Sequence, residues 1–401
     1  MTLKKLMNHV HIDEIPEGMD QVFAQAMNEY ASRGPAMINP IWLYEMNSQY
    51  KMYNHEKTWE AIISAAIDIR ERPELLQYIY LLKHICQNKE LADRVFAQLA
   101  LDVNREKSLA WDFAPLFALL PFVPGLVAEM KKRKVPDDII MGTLNEFEGK
   151  EADFQMRHGR PGMSMYAGWL RRFIDGEIIR INRFNIEMKK EFSGAINVYK
   201  NRHGAYRILM NHAVVHRSGL LLGAAGCDGE AGSYETEISV SADAITGNPV
   251  GKNGLVVKKK VRLPKSEWHC VLTKGDPVLS VHIPAQMSLT KDICETSYRR
   301  AREIFAAHYP EFAYKAFYCE SWMIDPQLAA LLGQETNITR FQNKYSPYPT
   351  KAQGKAVLDF VFQKPRDTRS EDLPEDTSLR RAIKKHYLEG KYIYELGGVF
   401  F

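Results

Sequence analysis

Four residues at the ends of two predicted strands carry side chains suited to acid–base or nucleophilic chemistry. His282 lies near the end of a strand predicted over residues 278–284. A second strand, predicted over 313–321, ends in Cys319, Glu320 and Ser321. A histidine with an ordinary pKa near about 6.5 accepts a proton at neutral pH, and a glutamate is a second possible base. A cysteine can act as a nucleophile or as a proton donor.

Strand geometry predicts which of these side chains share a face. Because successive strand residues point to opposite faces, His282 lies with Ser280. On the second strand, Cys319 lies with Ser321 and Glu320 points the other way. Each residue also has a structural interpretation. In the structural interpretation, His282 hydrogen-bonds a backbone carbonyl and so fixes the conformation of the following loop. Cys319 is then a small buried hydrophobic residue among aromatic neighbours.

The segment between the two strands predicts an anion site. Residues 285–290 lead directly into a helix predicted over 291–308. The first backbone N–H groups of a helix have no partner within it and attract phosphate or diphosphate groups. We expect Ser288 and Thr290 to cap this helix. Farther along, Asp325-Pro326 is expected to start the next helix, because Asp is a preferred N-cap and Pro suits the first helical position.

Two other patterns carry less weight. Four glycines recur every third residue from Gly223 to Gly232, but no G-K-[ST] sequence follows. A hairpin loop is therefore favoured over a phosphate-binding loop. His212 and His216 could share one face of a helix or a strand, yet no third ligand lies nearby, so we expect no metal.

Composition and charge exclude several classes of protein. The chain has 401 residues and a formal net charge of only +4, which disfavours a dedicated nucleic-acid binder. Its five cysteines form no C-x-x-C pair, as is typical of reduced thiols in a cytoplasmic protein. The first twenty residues lack the apolar core of a signal peptide. Residues 109–130 are the most apolar, but Asp112 and three prolines interrupt them, so we expect buried helix and loop, or a pocket wall, and no membrane span.

The chain divides into two regions of different periodicity. Apolar residues recur at helical spacing over 59–67, 75–85 and 91–101, which predicts an all-helical N-terminal domain over residues 1–162. After His158-Gly159-Arg160-Pro161-Gly162 the pattern changes, and residues 163–401 predict a mixed α/β domain. Within it we expect strands over 177–189, 234–240, 256–263, 268–272 and 356–362, a helix over 379–388 and a final aromatic run over 392–401.

This succession resembles the GNAT acyltransferase fold. The sequences GDPVLSVHIP, SYRRAREIFAAHYPE, SWMIDPQLAAL and NITRFQ resemble the GNAT-like C-terminal domain of bacterial acyltransferase-domain proteins, in which a helical N-terminal domain comes first. The resemblance is specific over residues 275–342. It implies an N-acyltransferase that uses acetyl-CoA or another acyl-CoA and a small-molecule or peptide amine. It also implies catalytic roles for His282, Cys319, Glu320 and Ser321, and CoA binding by Ile283, Pro284, Ala285, Gln286, Met287, Ser288, Leu289 and Thr290.

One departure from the family leaves an alternative open. GNAT enzymes typically carry a Q/R-x-x-G-x-G/A loop whose backbone amides hold the CoA diphosphate, whereas residues 285–290 here contain no glycine. Close approach of the backbone to phosphate is harder without glycine. We therefore expect either direct acyl transfer in a ternary complex, favoured over a covalent Cys319 intermediate, or a non-catalytic binding module on a degenerate GNAT-like shell.

Overall fold

A computed structural model describes residues 2–9, 15–99, 107–285 and 287–401 of the chain. It forms two compact units, Met1–Asn182 and Arg183–Phe401. The sequence places the domain boundary after residue 162. The helix Ala167–Ile174 and the strand Ile178–Ile181 lie with the first unit, because they pack against helices of that unit.

The described residues of the first unit form helices and one short strand. Its described elements are α1 (Leu3–His9), α2 (Met19–Arg33), α3 (Pro40–Tyr50), α4 (Glu56–Arg70), α5 (Pro73–Ile85), α6 (Lys89–Leu99), α7 (Leu109–Leu119), α8 (Val123–Lys132), α9 (Asp137–Leu144), α10 (Glu146–His158), α11 (Ala167–Ile174) and β1 (Ile178–Ile181).

The apolar stretch forms the centre of this unit. Every residue of α7 from Ala110 to Leu119 is buried. Pro115 lies inside α7, whereas Pro121 lies in a short 3₁₀ turn that separates α7 from α8 and Pro124 lies in the first turn of α8. The stretch is buried helix, as expected, but a 3₁₀ turn takes the place of the expected loop. By length and composition Leu109–Lys132 could cross a membrane, but 67% of its apolar window is buried within the protein. Buried Asp112 is satisfied by Arg160, whose Nε lies 2.6 Å from Oδ2.

The second unit combines strands with a few helices. Its described strands are β2 (Phe184–Lys189), β3 (Ile196–Asn201), β4 (Tyr206–Met210), β5 (Ala213–Val215), β6 (Tyr234–Thr236), β7 (Ser239–Val240), β8 (Ala244–Pro249), β9 (Val261–Pro264), β10 (Trp268–Leu272), β11 (Val278–His282), β12 (Phe317–Ser321), β13 (Ser346–Tyr348) and β14 (Leu396–Phe400). Its described helices of six residues or more are α12 (Lys291–His308), α13 (Gln327–Leu332), α14 (Asn337–Gln342) and α15 (Ser378–Leu388).

Two larger sheets contain most of these strands, and β5 and β6 form a separate two-stranded sheet. The first, which we call the site sheet, has the order β2-β11-β12-β14-β13 within this unit, and the second has the order β10-β3-β4-β8-β7 with β9 beside β8. β11 and β12 are parallel, and α12 connects them. The remaining pairs of the site sheet are antiparallel. The predicted fold class, a helical region followed by a mixed α/β domain, is confirmed.

Several local predictions have a clear outcome. The glycine-rich segment is the loop of the β5–β6 hairpin, as predicted. The strand expected over 356–362 is wrong, because this run is helical and ends in the π-helical turn Leu358–Phe362. Its apolar residues Val357, Leu358 and Val361 face a small core with Trp322 and Leu328, a spacing that a helical turn provides.

Candidate functional site

The central parallel strands of the site sheet separate at their C-terminal ends. The β11–β12 ladder described here joins only two residue pairs, Leu279 with Phe317 and Ser280 with Tyr318. Beyond those pairs each strand keeps its outer partner. β11 pairs with β2 as far as His282, and β12 pairs with β14 as far as Ser321. The pairing between the two strands therefore ends just before the predicted chemical residues, and we call this unpaired stretch between β11 and β12 the slot.

One face of the site sheet is aromatic. Tyr298 of α12 stacks on Phe184 at 5.0 Å between ring centroids and meets Phe317 and Phe400 edge-on at 5.6 and 4.9 Å. Since paired strand residues share a face and successive residues along a strand do not, Val281, Cys319 and Ser321 also belong to this side. We call it the aromatic face, and α12 covers it.

The opposite face, which we call the polar face, carries most of the ionisable groups. Cross-strand register places Glu187, Ser280 and Tyr318 in one row. The next row has His282 on β11 and Glu320 on β12, one on each side of the slot. The sequence alone leaves open which residue of the second strand faces His282. The strand register selects Glu320.

His282 forms a pair with a glutamate that the sequence analysis missed. Its Nε2 lies 2.7 Å from Oε2 of Glu187 on β2. The His282 side chain is 33% exposed and that of Glu187 only 11%, so the carboxylate lies beneath the ring and the ring reaches solvent. When the imidazole is neutral and Nε2 donates to Glu187, Nδ1 has the lone pair and can accept a proton. A carboxylate also stabilises the imidazolium that results.

Glu320 is held by a tyrosine of its own strand. The Tyr318 hydroxyl donates a hydrogen bond to Oε2 of Glu320. Glu320 is exposed, whereas the Tyr318 ring is buried between the two sheets and meets Phe192 edge-on at 5.4 Å. Burial, together with the nearby Glu320 charge, raises the pKa of Tyr318 well above its ordinary value, so the hydroxyl remains a donor.

Cys319 and Ser321 lie on the face opposite His282. The Cys319 thiol is fully buried near Tyr298 and Tyr345. Burial, and secondarily the Glu320 charge, raises its pKa well above the usual range. A protonated thiol on the aromatic face is badly placed to pair with His282 or to attack as a thiolate. Ser321 instead caps the following 3₁₀ turn, accepting a hydrogen bond from the Met323 amide at 3.2 Å.

The loop that follows β11 leads to the first turn of α12. Ile283 and Pro284 are half-buried, Ala285, Met287 and Ser288 are exposed, and Leu289 is buried; Gln286 lies outside the described residues. Thr290 is the N-cap residue by backbone conformation, but among the described residues its side chain makes no capping hydrogen bond. Thr290 therefore leaves the first amides of α12 without a cap from its own side chain, which suits an external anion, although Asp292 places a carboxylate in the same turn.

A buried arginine, also missed from the sequence, supports this loop. Arg183 is 2% exposed, its Nε donates to the Ser288 carbonyl at 3.1 Å, and its backbone N–H donates to Ser297 Oγ of α12 at 3.1 Å. Burial raises the pKa of Cys294, in the first turn of α12, to about 11, and the Arg183 guanidinium opposes that rise. A positive charge beneath the helix N-terminus adds to the potential that attracts phosphate.

Neither missed residue has a sequence signal strong enough to reveal it. Glu187 and Arg183 lie in a run of alternating residues near 180, about a hundred positions before the strand and loop that they contact. Alternation identifies the strand but gives no partner strand and no register. The predicted roles of His282, Glu320, Cys319 and Ser321, and of the loop 283–290, stay predictions.

Comparison with known proteins agrees with this architecture. Residues 183–400 match the family described as GNAT-like C-terminal domain, and residues 57–176 match the N-acyltransferase N-terminal domain. Among curated proteins none matches. The structure of an acyltransferase in complex with decanoyl-CoA is similar with a TM-score of 0.59 and 18% identity, covering 100% of this chain and 99% of that one. An acyltransferase in complex with decanoyl-CoA and teicoplanin is similar with a TM-score of 0.56 and 19% identity, covering 87% and 84%.

At identities of 18% and 19%, the structural similarity shows only a shared fold. The two family matches show which family the chain belongs to. Together they confirm the resemblance stated from the sequence.

Proposed function

The chain belongs to the family with a GNAT-like C-terminal domain, and we propose on that premise that it transfers an acyl group from acyl-CoA to an amine by direct attack in a ternary complex. The observation that carries the proposal is the slot between β11 and β12 with the His282–Glu187 pair at its edge. The related acyltransferases whose structures contain decanoyl-CoA support acyl-CoA as the donor.

The aromatic face is the side from which we expect CoA to approach. α12 lies on that face, and its first turn follows the loop 283–290 directly. Backbone amides of this turn would bind the diphosphate, with Arg183 beneath them supplying positive charge. The arginine compensates in part for the missing glycines, since a favourable potential does not require the closest backbone approach.

The amine then approaches from the polar face. His282 accepts a proton from the amine, and Glu187 holds the ring and stabilises its charged form. The amine nitrogen attacks the thioester carbon, an N–C bond forms, and collapse of the tetrahedral intermediate breaks the C–S bond. The departing thiolate takes up a proton, so the products are an amide and free CoA. Cys319 takes no part in this route because it lies on the other face.

The second candidate function is that of a binding module without turnover, and the absence of glycine from residues 285–290 supports it. One experiment addresses both. We expect acetyl-CoA and octanoyl-CoA at millimolar concentration to raise the melting temperature by several degrees, since a ligand at about 100 times its Kd adds about 2.7 kcal/mol. Wild-type protein and His282→Gln should show the same shift, while only the wild type acylates an amine. A shift without turnover in either protein would favour the binding module, and no shift with any CoA ester would remove acyl-CoA as the ligand.

A further inference from the structure

We infer that Glu320 binds the positively charged ammonium group of the acceptor, so that this protein selects aliphatic amines over uncharged aromatic ones. The inference rests on the proposed function and names its acceptor class. It assigns Glu320 a specificity role and leaves the base role to His282.

The position of Glu320 is the first reason. It follows Tyr318 by two residues on β12, as His282 follows Ser280 on β11, and Ser280 and Tyr318 are a register pair. Glu320 and His282 therefore occupy the same face, on opposite sides of the slot. A nitrogen that enters between them meets a carboxylate on one side and a proton acceptor on the other.

The second reason is the way in which the carboxylate is held. Tyr318 donates to one oxygen of Glu320, and the Tyr318 ring is fixed in the core between the sheets by Phe192, Val278 and Val399. One carboxylate oxygen is thus oriented by a rigid donor, and the exposed carboxylate offers further lone pairs to a donor from solvent. Ammonium, with three N–H donors, is the matching group.

The charge on the polar face is the third reason. Two carboxylates, those of Glu187 and Glu320, lie beside the slot on this face together with His282. Lys189 pairs with Val278 at the other end of β11, and its Nζ lies 5.3 Å from the centre of the Tyr318 ring. A cationic acceptor is favoured here, and an anionic one is disfavoured.

The proton inventory of the reaction is consistent with this role. An alkylammonium group carries one proton more than the amine that attacks, and His282 removes it while Glu320 holds the nitrogen in place. The second proton leaves the nitrogen of the tetrahedral intermediate and is taken up by the CoA thiolate. An aromatic amine is uncharged at neutral pH and gains nothing from Glu320.

Benzylamine and 4-methylaniline test the inference, because they match in size and differ in charge at neutral pH. We expect Glu320→Gln to raise KM for benzylamine about 10- to 100-fold and to change KM for 4-methylaniline less than about threefold. Tyr318→Phe should raise KM for benzylamine by a smaller factor, because the carboxylate remains and only its orientation is lost. The exposed Glu303 on α12 provides a matched control, and Glu303→Gln should leave both values unchanged.

The outcomes separate this inference from the proposed function. Equal effects of Glu320→Gln on the two amines, or no effect on either, would overturn the ammonium role while leaving acyl transfer intact. If the wild type acylates neither amine, binding of benzylamine to the protein saturated with CoA decides the question. Glu320→Gln must then weaken that binding, and unchanged affinity would reject the inference. Unaltered melting temperature and acyl-CoA affinity in each variant exclude misfolding as the cause.

Discussion

The two faces of the site sheet differ in chemistry although the same strands form both. Moving one residue along β12, from Cys319 to Glu320, passes from a fully buried thiol to an exposed carboxylate. On β11 the step from buried Val281 to half-buried His282 is a smaller change in the same direction. The aromatic face fixes the sheet against α12, while the polar face displays groups that can exchange protons. Strand register decides which set of side chains lies on which face, because a shift of one residue would exchange the two sets.

The largest effect should follow from removing the proton acceptor of the polar face. We expect His282→Gln to lower kcat by about 10² to 10⁴ and to leave the acyl-CoA Kd unchanged, since general-base catalysis contributes a factor of that size. Steady-state kinetics with titrated acyl-CoA binding measure both. His269→Gln, on exposed strand β10, is the matched control and should be neutral. Full activity of His282→Gln would show that the polar face does not carry the chemistry.

A smaller effect should follow from neutralising the partner of His282. Glu187→Gln preserves the shape of the side chain and a hydrogen bond to Nε2, but removes the charge that stabilises imidazolium. We expect kcat to fall about tenfold while the acyl-CoA Kd stays unchanged, because the carboxylate charge that stabilises the imidazolium in the transition state is lost. A kcat equal to that of the wild type would mean that the reaction does not depend on this carboxylate.

The aromatic face should give the smallest effect on catalysis. We expect Cys319→Ala to keep kcat within about twofold and to cost about 1–2 kcal/mol of unfolding free energy, as for other buried truncations. Burial raises the pKa of Cys319, so the thiol stays protonated at neutral pH and should resist alkylation. The exposed Cys270 should react first and serves as the internal control. Loss of activity in Cys319→Ala, with a trapped acyl-thioester, would restore the covalent route.

Much of this arrangement can be predicted from local sequence. Period-2 alternation correctly pairs His282 with Ser280 on one face, and the strand–helix–strand order around α12 follows from the apolar patterns. The role of Asp325 is also predictable, since its Oδ1 accepts from the Gln327 amide at 3.0 Å at the start of α13. Burial raises the pKa of this carboxyl, and a further bond from the Tyr394 amide at 2.7 Å ties the start of α13 to the C-terminal segment.

What could not be predicted depends on distant partners. The alternating pattern does not show that β2 is the neighbour of β11, so Glu187 could not be predicted as the partner of His282. It also cannot fix the register of β12 against β11, and that register decides whether Cys319 or Glu320 faces His282. The segment 356–362 shows a related limit, because a short apolar run fits a strand or a helical turn equally well until its packing partners are known.

The strand β14 carries two consecutive glycines, Gly397 and Gly398, where it runs beside β12. A methyl group on Gly397 would lie 2.2 Å from Cζ of Tyr348, and one on Gly398 would lie 2.9 Å from Cβ of Tyr345. The two tyrosines therefore contact the main chain of β14 at neighbouring residues, on opposite faces of the site sheet. A substitution at either glycine would displace a different tyrosine, so a side chain at position 397 disturbs the polar face and one at position 398 disturbs the aromatic face.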